Sequence, residues 1–155
     1  MNRAAAVAPV LVLTYGNPSR GDDALGTAMY DLLEKNPPLN VDLLTDFQLQ
    51  IEHATDLRER EYVLFVDAGI HCEEPFELQR LSARKDDSFT THAMSPASVL
   101  SVYQQIYRRE PPPAYLLTIR AYKFGLGKEM SSAAGENLAR AYEYLVEEPP
   151  WAAHA

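Results

Sequence analysis

The chain's most restrictive feature is an apolar strand that leads straight into a glycine-rich, acidic turn. Residues 9–14 read PVLVLT, an unbroken apolar run typical of a strand covered on both faces. Residues 14–26 read TYGNPSRGDDALG and hold three of the seven glycines. Clustered glycines indicate positive φ or close backbone approach, because glycine otherwise costs backbone entropy. We therefore predict a tight turn at the end of a central strand.

The remaining chain alternates helical and strand patterns. Apolar residues recur at helical spacing from Asp22 to about Lys35, and further strands are predicted at 41–45, 62–66 and 115–119, with an edge strand at 76–81. Other helices are predicted at 51–58, after Ser95 and from about Ser131. This order predicts an α/β sandwich with a mainly parallel twisted sheet of about five strands and helices on both faces.

Length and composition indicate one cysteine-poor, acidic domain. The 155 residues suit a single domain (1–155), with a core at about 9–146 and a frayed acidic tail at 147–155. A net charge of −8 argues against nucleic acid or an anionic membrane as partner. One cysteine, Cys72, excludes a disulfide framework and a cysteine-based zinc site, and favours a cytoplasmic location. No apolar run reaches the roughly 20 residues of a membrane span.

Acidic residues follow the predicted strands where such sheets bind ligands. If the strand order includes 2-1-3, the loops after strands one and three lie side by side and bring Asp22 and Asp23 close to Asp67. Gly16 and Gly21 have the spacing of a phosphate-binding loop, but acids replace its Lys and Ser or Thr. Helix capping or turn capping by the aspartates and a cation site both remain open.

A histidine before a predicted helix completes one candidate site. Asp23, Asp67 and His92 would offer two carboxylates and an imidazole, a set suited to nickel, zinc or manganese. The alternative is a solvated or capping role for His92. His53 is expected near the cleft, whereas His71 and Cys72 are expected to face solvent.

Other chemistry has less support in the sequence. Ser95 precedes Pro96 and is better explained as a helix N-cap than as a nucleophile. A stand-alone zinc or manganese hydrolase would use the same three-residue site. A flavodoxin-like binding module is opposed by the acidic loop, and a peptidyl-tRNA hydrolase is opposed by the net charge.

Three motifs resemble those of the nickel-iron hydrogenase maturation endopeptidases. They are GNPSRGDDALG at 16–26, DAG at 67–69 and THAMSP at 91–96, and the resemblance covers about residues 9–146. The DFQLQ stretch at 46–50 is similar to the branch that serves cytoplasmic, NAD-coupled hydrogenases. The chain departs from some members by having Asp23 in place of Glu, by placing its histidine before the Ser-Pro pair, and by lacking a Gly-Gly or Gly-Thr turn after the second strand.

The resemblance implies a three-layer α/β/α sandwich and a peptide hydrolase. Such an enzyme removes the C-terminal extension of a hydrogenase large-subunit precursor after nickel insertion. Asp23, Asp67 and His92 would recognise nickel supplied by the substrate, so no permanent cofactor is expected. We add the hypothesis that Asp22 assists them or acts as a base. The expected partner is the nickel-loaded precursor, and the enzyme itself is expected to be a monomer.

Overall fold

A five-stranded sheet forms the centre of the molecule. The computed structural model describes residues 6–85 and 94–154. The strands are β1 (Val10–Tyr15), β2 (Val41–Asp46), β3 (Tyr62–Gly69), β4 (Phe76–Arg80) and β5 (Ala114–Arg120). The helices are α1 (Leu25–Lys35), α2 (His53–Asp56), α3 (Pro96–Tyr107) and α4 (Ser132–Glu147), with short 3-10 helices at Gly21–Ala24 and Pro150–His154.

The strand order is β2-β1-β3-β5-β4, which contains the 2-1-3 arrangement on which the expected convergence of Asp22, Asp23 and Asp67 depended. β1 pairs in parallel with both β2 and β3, and β3 pairs in parallel with β5. β4 pairs antiparallel with β5 at the sheet edge, so the prediction of an edge strand is confirmed. Parallel pairing aligns the carboxyl ends of β2, β1 and β3, and the loops after these strands therefore meet at one edge of the sheet.

The apolar β1 run is explained by burial on both faces. Val10 and Val12 point into a core packed against α1 and α4, whereas Leu11 and Leu13 point into a second core packed against α2 and α3. Successive side chains of a strand alternate between faces, so a strand between two helical layers has no exposed side. The three-layer α/β/α sandwich is thus present, with a mostly parallel sheet.

The predicted helix starts are largely correct. Ser95 and Ser131 are the N-caps of α3 and α4, accepting hydrogen bonds from the backbone N–H groups of Ser98 (3.1 Å) and Ala134 (3.2 Å). These contacts confirm the N-cap interpretation of Ser95. The first predicted helix begins with the 3-10 turn Gly21–Ala24 before α1.

Two expectations about exposure were wrong. The C-terminal segment is not frayed over its described part, because Pro150–His154 forms a 3-10 helix and Trp151 meets Tyr62 edge to face at 6.4 Å between ring centroids. Cys72 is buried, and its thiol lies 3.6 Å from the carbonyl oxygen of Gly69, whereas His71 is exposed as expected. Within residues 6–85 and 94–154, no helix combines the length and apolar character needed to cross a membrane.

Candidate functional site

An acidic cleft opens at the carboxyl ends of β2, β1 and β3. Its cavity measures about 610 Å³ and is lined by residues at the carboxyl ends of these three strands and in the segments that follow β1 and β2. The charged lining residues among those described are Asp23, Asp46, Asp67 and Arg20. Three carboxylates facing one guanidinium make the cleft suited to positively charged ligands.

Close backbone packing explains the glycines of the first motif. Gly16 has φ of +146°, and a Cβ at this position would lie 2.3 Å from the carbonyl oxygen of Asp23. A Cβ on Gly26 would lie 2.2 Å from the carbonyl oxygen of Tyr15. These contacts fold the turn back on the end of β1, and the Asn17 N–H donates to Asp23 Oδ2 at 2.9 Å. The turn therefore fixes Asp23 at the cleft.

Asp22 is turned inward and fastens this turn to the loop after β5. Its carboxylate is fully buried and accepts hydrogen bonds from the backbone N–H groups of Ser131 (2.6 Å), Tyr122 (2.7 Å) and Lys123 (3.0 Å) and from the Ser131 hydroxyl (2.9 Å). Burial alone would raise the pKa of Asp22, but these hydrogen bonds outweigh it and lower the pKa. A carboxylate so occupied holds the turn, and its geometry offers no support for the base role.

Asp67 lies near the end of β3 and shares the cleft with Asp23. Burial, together with the nearby charge of Asp23, raises the pKa of Asp67 to about 6, although hydrogen bonds from the Ala68 N–H and the Tyr15 hydroxyl oppose the rise. The Ala68 N–H lies 2.7 Å from Asp67 Oδ1. Burial and the same two carboxylates raise the pKa of Tyr15. Asp23 and Asp67 are therefore close enough to interact electrostatically, as the strand order predicted.

Asp46 is a cleft carboxylate that the sequence reasoning did not include among the candidate site residues. It is the last residue of β2 and pairs in register with Tyr15 at the end of β1. Its Oδ1 accepts a hydrogen bond from the Phe47 N–H at 2.7 Å, and its Oδ2 lies 3.4 Å from Nε2 of His53. The signal was available, because Asp46 directly follows the strand predicted at 41–45, as Asp67 follows the strand predicted at 62–66. The expectation that His53 lies near the cleft is met through this contact.

The third predicted metal ligand, His92, lies outside the described residues. In the part of the chain that is described, no three His, Cys, Asp or Glu side chains come close enough together to hold a metal ion. Asp23 and Asp67 would therefore need further donors from elsewhere to bind one tightly. This finding gives no support to a stand-alone zinc or manganese hydrolase.

Comparison with solved structures finds several hydrogenase maturation proteases. A [NiFe] hydrogenase maturation protease, HycI, from Thermococcus kodakarensis KOD1 matches with a TM-score of 0.70 and 20% identity, over 94% of each chain. The hydrogenase maturating endopeptidase HybD from E. coli matches with a TM-score of 0.68 and 21% identity, over 88% of each chain. A hydrogenase 3 maturation protease matches with a TM-score of 0.67 and 21% identity, over 92% of this chain and 91% of the other.

The chain has the fold of the hydrogenase maturation proteases. The sequence resemblance, drawn from motifs at 16–26 and 67–69 among others, is thus confirmed for the architecture. Neither the comparison with models of protein families nor the comparison with curated protein sequences gives a match.

Proposed function

We propose that this protein is an endopeptidase that removes the C-terminal extension of a [NiFe] hydrogenase large-subunit precursor after nickel insertion. The observation that carries the proposal is the pairing of Asp23 and Asp67 in an open cleft on the fold of the maturation proteases. The motif at 46–50 suggests a precursor of the cytoplasmic, NAD-coupled type. A single cysteine fits action in the reducing cytoplasm.

The two carboxylates repel each other, so a cation between them would be favourable. Asp23 comes from the 3-10 turn after β1 and Asp67 from near the end of the neighbouring β3, and burial makes ionised Asp67 costly. A metal ion carried in by the substrate would offset this cost without needing a complete set of protein ligands. His92, which precedes α3 in the chain, is proposed as the third contact. The enzyme then keeps no permanent cofactor, and nickel enters as part of the substrate.

Recognition of substrate-borne nickel would make cleavage a checkpoint. Asp23 and Asp67 bind the nickel that the precursor already holds, and this contact orients the scissile peptide in the cleft. A precursor without nickel offers those carboxylates no partner and is left uncut. Asp22 takes no direct part, because its carboxylate is occupied by hydrogen bonds beneath the turn.

The test is cleavage of a precursor supplied in nickel-loaded and nickel-free forms. Mass spectrometry should show loss of a C-terminal peptide from the loaded form, and equal cleavage of both forms would refute the checkpoint. Asp23→Asn and Asp67→Asn should each abolish cleavage without unfolding the protein. Asp31→Asn, the same change at an exposed position of α1, is the matched control and should retain activity. Full activity of either cleft variant would remove that residue from the proposed site.

A further inference from the structure

A small cavity, here called the Tyr–Arg cavity, opens between the end of α3 and the segment that leads into β3. It measures about 170 Å³, and its lining consists of two arginines, two tyrosines and one acid: Arg58, Glu59, Tyr103, Tyr107 and Arg109. The two segments lead into the amino ends of β3 and β5, so the cavity lies at the edge of the sheet opposite the acidic cleft. These lining residues differ from those of the cleft.

Two tyrosines one helical turn apart form the inner wall of the Tyr–Arg cavity. Tyr103 and Tyr107 lie on the same face of α3, and their ring centroids are 4.8 Å apart. Tyr103 is only 4% exposed, and it lines the cavity. Among residues 6–85 and 94–154, no group forms a hydrogen bond with its hydroxyl. A donor so enclosed, with the cavity as its opening, favours a ligand that carries acceptor oxygens.

The two guanidinium groups of the cavity are available to a ligand. Arg58 lies over the Tyr107 ring at 5.4 Å from its centroid, a stacked arrangement that leaves the N–H groups at the guanidinium edge free to donate. In the part of the chain that the structure describes, neither Arg58 nor Arg109 forms an ion pair within 4.0 Å, whereas the neighbouring Arg60 pairs with Asp42. Two unpaired cations beside an enclosed hydroxyl donor favour a negatively charged ligand.

Two features of the site act against a negative ligand. Glu59 brings one negative charge, and the C-terminus of α3 carries a partial negative charge. Arg109 follows that helix end and could serve only to offset it. The two guanidinium charges still exceed the single carboxylate, and offsetting the helix end gives no role to the Tyr103 hydroxyl.

We propose that the Tyr–Arg cavity binds a small oxyanion, a carboxylate or phosphate group, through the Tyr103 hydroxyl and the guanidinium groups of Arg58 and Arg109. A planar guanidinium can donate to two oxygens of either group at once, and the tyrosine hydroxyl donates to an oxygen that remains. The volume suits one such group, because pockets for drug-sized ligands measure about 300–1,000 Å³. This site is separate from the peptidase cleft and does not depend on the proposed function.

Titration of the full chain with sodium phosphate and, separately, with sodium acetate tests the proposal and distinguishes the two oxyanions. Ionic strength is held constant with sodium chloride, and ¹⁵N NMR follows the backbone signals of α3 and the Nε–H signals of Arg58 and Arg109. At least one of the two anions should give saturable shifts at the cavity, and the tighter binder identifies the preferred group. Shifts that do not saturate with either anion, or that saturate only elsewhere, would overturn the proposal.

Tyr103→Phe tests the hydroxyl while keeping the ring that packs against Tyr107. The affinity for the anion should fall about tenfold, as expected when a hydrogen bond to a charged group is lost. Tyr142→Phe is the matched control, because it removes a hydroxyl from α4 on the other face of the sheet and should leave the affinity unchanged. Equal affinities for the two variants would remove Tyr103 from the site.

Substitutions of the charged residues test the sign of the ligand's charge. Arg58→Gln and Arg109→Gln should each weaken binding about tenfold, whereas Arg140→Gln at an exposed position of α4 should not. Glu59→Gln should tighten binding by up to about fivefold, because it removes an exposed like charge. If Arg109 served only the helix end, Arg109→Gln would lower the thermal midpoint without changing the affinity. That result, or an affinity that does not rise in Glu59→Gln, would overturn the assignment.

Discussion

Asp67→Asn should make the protein more stable while removing its proposed activity. Asp67 has a folded-state pKa of about 6, against an ordinary value of 3.8, with burial as the main cause. A raised carboxylate pKa means that the folded state holds the proton more tightly than the unfolded chain does. At a pH below 3.8, Asp67 is protonated in both the folded and the unfolded protein and does not lower the free energy of unfolding. As the pH rises from 3.8 through about 6, the unfolded chain loses this proton more readily, and the free energy of unfolding falls.

The size of the effect follows from the two pKa values. Their difference, from 3.8 to about 6, corresponds to about 3 kcal/mol of stability lost by neutral pH. Asparagine cannot ionise, and its amide oxygen can still accept the hydrogen bond from the Ala68 N–H. The variant should thus gain up to about 3 kcal/mol over the unchanged protein near pH 7.5 and almost nothing near pH 3.5.

Urea unfolding at a series of pH values measures this difference. The free energy of unfolding in water is obtained by linear extrapolation for the unchanged protein, Asp67→Asn and Asp31→Asn. At each pH, subtracting the free energy of unfolding of the unchanged protein from that of the variant cancels the titration of the other groups. The exposed control Asp31→Asn should show no pH-dependent increase in this difference. A variant that is no more stable than the unchanged protein near neutrality, or a gain that is the same at every pH, would refute the reasoning.

Three further predictions concern stability. Asp22→Asn should destabilise the fold by about 3 kcal/mol in urea unfolding, because an amide cannot accept all of the hydrogen bonds that the buried carboxylate receives; a neutral effect would contradict the anchoring role. Gly26→Ala should lower the thermal midpoint sharply, because the new Cβ would collide with the Tyr15 carbonyl oxygen. Gly135→Ala lies in α4 with open space around the new Cβ and should raise the free energy of unfolding by about 1 kcal/mol; a change of the same sign in both variants would contradict the prediction. Trp151→Ala should lower the free energy of unfolding by about 2 kcal/mol, because the C-terminal segment packs on Tyr62 through this ring; an unchanged urea midpoint would show that the segment adds nothing to stability.

The apolar and glycine patterns predicted most of the framework. The PVLVLT run, the helical stripes and the serine caps each reflect local physics, so β1, the α1 and α4 faces and the N-cap at Ser95 followed from the sequence. The C-terminal segment was expected to be frayed because its order depends on a tertiary contact, between Trp151 and Tyr62, that no local sequence pattern indicates. Cys72 was misjudged for the same reason, since its burial depends on the neighbouring strand β5.

The part of the site that depends only on the sheet topology could be predicted from the sequence. Parallel strands in the order 2-1-3 bring Asp23 and Asp67 to one edge, as expected on the condition of that order, and the structure meets the condition. The sequence placed Asp23 in the site and gave Asp22 an assisting or base role, but the chemistry of two adjacent acids could not reveal that Asp22 is buried. Only the path of the loop after β5 decides that Asp22 is buried under three backbone N–H groups and that Asp23 faces the cleft.

By itself, the sequence determined a parallel α/β sandwich with a tight acidic turn after its central strand, because hydrophobic periodicity and glycine placement act through neighbours along the chain. The tertiary structure decided which acids are structural and which are free to bind. It also decided that Asp46 and His53 form one wall of the cleft. Those outcomes depend on hydrogen bonds and burial between segments far apart in sequence, where the identity of a residue does not fix its surroundings.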